Sequence, residues 1–161
     1  NGGLNAWKRV GGKVVSGNYK PRYSNYKCQK INKKLVIEYK NLTKIVKDKH
    51  NNYLVLDARP EARFLGIESE PRKNIGKGTI FNSKSLPFNT IELNGYLKNK
   101  SEIRAIFKSK TTYKKNLIFS CGSGVAACNL AIAKNLIGSK KWSVYDGSWT
   151  EWFLNNYDLS L

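Results

Sequence analysis

Short apolar runs separated by polar, glycine-bearing stretches set the pattern of this chain. Tyr53–Asp57 is a continuous apolar run ending on an acid, the mark of a strand buried on both faces of a parallel sheet. Asn116–Ser120 repeats that form, residues 143–145 make a shorter version, and a weaker strand is expected at residues 79–81. Helical spacing lies between these runs. Ile103, Ile106 and Phe107 fall on one face of residues 101–110, and residues 127–137 form a second helix with Gly138 placed to end it. Pro60 opens a helical turn through Phe64, since proline suits the first position of a helix. Residues 35–46 read as a short strand and a helix. Ser148 followed by Glu151 has the form of a capping box for a last helix through Leu154. Strands alternating with helices predict an α/β domain, a mainly parallel sheet flanked by helices. In such sheets ligands sit at the carboxyl ends of the strands.

The 161 residues suffice for one domain with a proper core, and 40% hydrophobic with 12% aromatic residues describe a folded chain. No apolar run approaches the roughly 20 residues that span a bilayer, so a membrane is not an expected partner. Three irregularly spaced cysteines argue against a disulfide framework and for a reducing compartment, the cytoplasm in the first instance, with an organelle left open. His50 is the only histidine and stands in a polar stretch, so neither a metal nor another cofactor is expected. The net charge of +18 would ordinarily suggest nucleic acid. Here the charge is mostly lysine interleaved with Asn, Ile and Tyr along the whole chain, which a codon bias also produces, and nucleic acid is not an expected partner. What survives is a surface potential favouring small anionic substrates and acidic proteins.

The chemistry concentrates at Cys121. It follows an apolar strand and opens the small-residue loop Cys121-Gly-Ser-Gly-Val-Ala126, directly before a helix. Backbone N–H groups and the positive end of a helix dipole favour a thiolate and any anion beside it. Two glycines and a serine let amides converge on one point. The alternative is a structural cysteine in a tight turn. Cys128, on the first turn of the helix after Cys121, is expected to be a small buried core residue, and Cys28 an exposed bystander. Trp142, Trp149 and Trp152 are expected to pack.

Methionine is absent, including at position 1, and Asn1-Gly-Gly-Leu-Asn-Ala-Trp7 aligns with Asp146-Gly-Ser-Trp-Thr-Glu-Trp152. The expected organisation is therefore the tail of a preceding homologous domain over residues 1–17, an interdomain linker over 18–34, and a catalytic domain over 35–161. The linker is rich in Lys, Asn and Tyr and contains Pro21.

Four ordered motifs, Asp57-Ala-Arg-Pro-Glu-Ala-Arg-Phe64, Glu68-Ser-Glu-Pro-Arg72, Cys121-Gly-Ser-Gly-Val-Ala-Ala127 and Val144-Tyr-Asp-Gly-Ser-Trp-Thr-Glu-Trp152, resemble the C-terminal domain of tandem rhodanese-fold sulfurtransferases, the thiosulfate and 3-mercaptopyruvate sulfurtransferase family. The resemblance implies a rhodanese fold and makes Cys121 the nucleophile that becomes a persulfide and passes its outer sulfur to a thiol, such as thioredoxin or a small thiol, or to cyanide. It places the hydroxyl of Ser123 beside the sulfur, with a simple turn residue as the alternative. It assigns Arg63 and Arg72 to the donor's carboxylate, for which two parallel N–H donors are well shaped. Surface ion pairs with Glu61, Glu68 or Glu70 are the alternative. Gly122, Gly124, Val125 and Ala126 complete the substrate loop. Arg59 is expected to pair with a nearby carboxylate and Asp57 to orient or cap. Uncharged Gly122 and Ser123, where thiosulfate-preferring members carry basic residues, favour 3-mercaptopyruvate. Ala127 stands where a cysteine phosphatase needs Arg. Ala126 replaces the family's usual Thr, and the segment from Thr79 departs from the family's Gly-His-Ile-Pro-Gly, which keeps open a binding or structural module without activity.

Overall fold

In a computed structural model, residues 1–28, 32–48, 50–111 and 115–157 are described. The elements in chain order are α1 (Gly3–Arg9), β1 (Val36–Ile37), α2 (Tyr39–Lys47), β2 (Tyr53–Asp57), α3 (Glu61–Phe64), β3 (Lys84–Ser85), β4 (Glu92–Leu93), β5 (Tyr96–Leu97), α4 (Lys100–Lys110), β6 (Asn116–Ser120), α5 (Val125–Leu136), β7 (Trp142–Tyr145) and α6 (Ser148–Asn156). Five strands form a parallel sheet in the order β1-β7-β6-β2-β3, and β4 and β5 make a separate antiparallel hairpin.

Alternation along the central strands builds two cores. Leu54, Leu56, Leu117 and Phe119 face one side with Ile103 and Phe107 of α4 and Leu130 of α5. Val55 and Ile118 face the other with Leu42 and Val46 of α2 and Trp149, Trp152 and Phe153 of α6. The sheet is thus buried on both faces, which is why its central strands read as continuous apolar runs. Trp149 and Trp152 are buried, and Trp142 is half-buried against Phe119, so all three tryptophans pack as expected. Cys28 and His50 are exposed.

Three expectations need correction. No strand forms at residues 79–81: Ile80 is buried in the second core within a turn closed by Ser83 Oγ donating to the Ile80 carbonyl, and the strand beside β2 starts at Lys84. The capping box appears on α4, where Asn99 Oδ1 accepts from the amides of Ser101 and Glu102 and Glu102 returns a bond to the Asn99 amide. At α6 no such box forms, because Ser148 has φ 52° and its hydroxyl is used elsewhere. Cys128 is exposed, not core. Ala127, Leu130, Ala131 and Ala133 carry the buried face of α5, and Cys128 lies about 100° round the helix from Ala127. It lines an apolar groove of about 400 Å³ with Leu35, Trp142 and Val144.

The two aligned segments share one backbone feature and differ at the residue before it, where Gly2 has φ 91° and Gly147 φ −59°. Gly3 and Ser148, equivalent positions, each begin a helix with positive φ, 58° and 52°. α1 packs on the β4–β5 hairpin, where Asn1 Oδ1 accepts from the Leu97 amide and Arg9 lies over the Tyr96 ring.

Candidate active site

β6 lies in the middle of the sheet, and its carboxyl end delivers Cys121 into the turn before α5, where Cys121 is 3% exposed. Gly124 turns the chain into the helix at φ 81°, and a Cβ there would lie 2.7 Å from Asp146 Oδ1 and 2.8 Å from the Asp146 carbonyl. Gly124→Ala is therefore expected to destabilise the chain by at least about 1–3 kcal/mol, read from a denaturant midpoint, because a side chain meets both left-handed backbone and a wall.

The start of α6 clamps this loop. Ser148 Oγ accepts from the amides of Cys121 (3.0 Å) and Gly124 (2.9 Å), donates to the Tyr145 carbonyl (2.9 Å), and lies 4.0 Å from Cys121 Sγ. Its one proton is committed to Tyr145, so towards the loop it acts as an acceptor. The Cys121 carbonyl accepts from the Trp149 amide, and the Gly122 carbonyl from the Thr150 amide and hydroxyl (3.1 and 2.7 Å). With these carbonyls drawn towards α6, the amides of Gly122, Ser123, Val125 and Ala126 have no hydrogen-bond partner among the described residues. Unpaired amides in one turn at a helix N-terminus make a ready anion cradle. The amide of Gly124 is taken by Ser148. The Val125 side chain is exposed, while Ala126 packs against the first core.

Of the two substrate arginines inferred from the sequence, the structure joins one to the loop. Arg72 donates to Ser123 Oγ, and its Nη1 lies 3.0 Å from the point a Cβ on Gly122 would occupy. Arg63, half-buried on α3, makes no side-chain hydrogen bond or ion pair among the described residues. Neither takes the surface ion pair considered as the alternative. Glu70 instead pairs with Arg59: Glu70 Oε1 accepts from Arg59 Nη1 (2.7 Å), and Asp57 binds the other side of the guanidinium (2.7 Å). Asp57 also accepts from the Arg59 amide, and the guanidinium lies 5.0 Å over the Trp149 ring. Burial pulls the Arg59 pKa down, but Asp57 and Glu70 outweigh it and hold it above its ordinary value. Through Trp149, this buried network braces the helix that clamps the loop.

Sequence reasoning missed Ser148, Thr150 and the inward turn of Glu70. The first two carry no signal beyond a helix start, because their partners are loop backbone groups 27 and 28 residues away. Burial, and then the charges of Cys121 and Asp146, push the Cys128 thiol above its ordinary value. At pH 8 Cys128 is thus expected to alkylate with iodoacetamide more slowly than a free model thiol, as followed by peptide mass spectrometry. Among the described residues no group of three or more His, Cys, Asp or Glu could hold a metal ion, and no helix is long and apolar enough to cross a membrane.

The model of the rhodanese-like domain matches residues 39–155. Thiosulfate sulfurtransferase of Rattus norvegicus is 35% identical over 156 residues, covering 95% of this chain and 52% of the relative. Human 3-mercaptopyruvate sulfurtransferase is 33% identical over 156 residues, covering 96% and 52%. The chain thus spans about half the length of these relatives. Among solved structures, SseA from Escherichia coli, described with the rhodanese fold and catalytic mechanism of 3-mercaptopyruvate sulfotransferases, superposes with a TM-score of 0.73 at 28% identity, covering 91% of this chain and 54% of that one. The sulfur transferase subunit of yeast mitochondrial complex I gives a TM-score of 0.75 at 34% identity, covering 89% and 51%.

Proposed function

This chain belongs to the rhodanese-like domain family, and from that premise we propose that it is a sulfurtransferase that carries sulfur as a persulfide on Cys121. The observation that carries the reading is the clamped loop: a thiol sits at the carboxyl end of a central strand, beside amides left without partners. In the first step the Cys121 thiolate attacks the sulfur of 3-mercaptopyruvate. An S–S bond forms, the C–S bond breaks, and its electron pair leaves as the enolate of pyruvate, which takes up a proton. In the second step an acceptor thiolate attacks the outer sulfur, and the Cys121 thiolate leaves. The loop amides offset the negative charge on Cys121 in both steps.

Arg72 supplies a cation at the edge of the cradle for the donor's carboxylate, with Arg63 on the neighbouring helix as the second. Thiosulfate carries two charges and 3-mercaptopyruvate one. Gly122 and Ser123 bring no further cation to the loop, which favours the monoanion. Similarity to relatives does not separate the donors, since relatives named for each match at nearly the same identity. The acceptor proposed is a small thiol or a thioredoxin-like dithiol.

Intact-mass spectrometry after mixing the chain with 3-mercaptopyruvate, and separately with thiosulfate, tests this reading. The expected result is one added sulfur, removed by a thiol reductant, mapped to the Cys121 peptide and formed more readily from 3-mercaptopyruvate. No added sulfur from either donor overturns it.

A further inference from the structure

The lysines that look dispersed in sequence gather where the parallel fold returns its chain. All five strands of the sheet run parallel, so their starts lie on one edge, opposite the Cys121 end of β6. Lys34 precedes β1, Lys84 begins β3, Lys115 precedes β6, and Lys140 and Lys141 precede β7. Lys108 and Lys110 end α4, which leads towards β6. Two grooves are cut into this edge. One, of about 400 Å³, is lined by Lys34, Lys140 and Lys141 together with Tyr53 and Trp142. The other, of about 350 Å³, is lined by Lys84, Lys108, Lys110 and Lys115. They flank adjacent strands, since Tyr53 pairs with Asn116 and Leu54 with Leu117 across β2 and β6.

No carboxylate lines either groove, and none of the seven lysines is in an ion pair among the described residues. Helix-dipole compensation accounts for Lys108 and Lys110, and for Lys84, whose ammonium donates to the Lys110 carbonyl at the end of α4 (3.3 Å); Lys34, Lys115, Lys140 and Lys141 stand just before strands β1, β6 and β7. Separate ammonium groups along a line match a chain of phosphates, whereas forked recognition of a carboxylate calls for arginine, and neither groove has one. Tyr53, 38% exposed, and the half-buried Trp142, which also packs on Phe119, add aromatic side chains to the lining of the first groove. Rings beside a basic track are what unstacked bases use.

We propose that this edge binds single-stranded nucleic acid, its phosphates along the seven lysines and its bases against Tyr53 and Trp142. The even spread of lysine that argued against such a partner is a property of the linear chain, and the topology converts it into a track. The track lies at the opposite end of the strands from the Cys121 loop, so it serves as a tether and does not compete with a sulfur donor.

The test is fluorescence anisotropy of a labelled oligouridylate with the whole chain, compared with Lys34→Glu/Lys140→Glu/Lys141→Glu, with Tyr53→Ala, and with the charge-matched control Lys13→Glu/Lys20→Glu/Lys27→Glu. All six lysines exchanged are exposed, so the two triple variants should keep the native circular dichroism. Expected are a loss of at least roughly tenfold in affinity for the groove triple, a fall of about 2 in the salt slope, and little change for the control, because each lost phosphate contact removes about 0.7 from the slope for single strands. Tyr53→Ala should weaken oligouridylate binding and leave binding of inorganic polyphosphate unchanged. Equal losses in both triples would overturn the proposal, as would absent binding at low salt. Displacement by polyglutamate as effective, charge for charge, as by unlabelled oligouridylate would also overturn it, in favour of an acidic protein partner.

Discussion

Arg59→Ala is expected to cost about 3–5 kcal/mol of folding stability, enough to leave a domain of this size marginal or unfolded at 37 °C. The guanidinium is 2% exposed and bridges two carboxylates that are themselves buried, Asp57 at the end of β2 and Glu70 in the loop after α3. It also donates to the Gly78 carbonyl at 2.9 Å and stacks over Trp149, so one side chain ties three chain segments and α6 together. Removing it strands two negative charges out of reach of water, which accounts for most of the loss. Adding Glu70→Gln to Arg59→Ala should recover part of the stability by removing one of those charges. Urea unfolding followed by circular dichroism checks both. A cost under about 1 kcal/mol for Arg59→Ala would show that the network does not hold the fold.

Ser148→Ala is expected to lower kcat/KM for the proposed sulfur transfer on the order of a hundredfold, with a loss of stability set by how far water reaches the two amides it strands. Its hydroxyl is the acceptor for two buried loop amides and lies beside Sγ, so its removal frees the loop that sets the position of the sulfur proposed to attack. A displacement near 1 Å of a reacting group is worth about a factor of a hundred in rate. Two unsatisfied amides cost about 1–3 kcal/mol each unless water enters. Ser148→Gly separates the two contributions. Glycine accepts φ 52° without strain, so it should be more stable than the alanine variant and equally impaired in transfer. Transfer restored by glycine would mean that backbone strain, not the hydroxyl, sets the loop.

Much of the fold was legible because a parallel sheet buried on both faces writes itself plainly. Tyr53–Asp57 and Asn116–Ser120 are strands as their unbroken apolar runs imply, and residues 101–110 follow their helical spacing. Ile80 misled for the same reason that strands are readable: a buried β-branched residue signals burial, and burial alone does not separate a strand from a turn that plugs a core. Cys128 misled because small and apolar residues suit either side of a helix, and only packing decides which side turns inward. Ser148 and Glu151 carried the right residue types for a capping box, but a positive φ at Ser148 sent its hydroxyl to the loop.

At the site the division is similar. Local chain chemistry determined the strand–loop–helix around Cys121, the need for Gly124 in left-handed backbone, and the pairing of Asp57 with Arg59, all of which depend on residues within a few positions of one another. The tertiary structure alone decided that Glu70 turns inward to Arg59, that Arg72 and not Arg63 reaches Ser123, and that α6 draws off the loop's carbonyls and leaves its amides unpaired. Those contacts join segments 11 to 51 residues apart. Their partners are chosen by which strand ends the sheet order brings together, and no local pattern of residues encodes that.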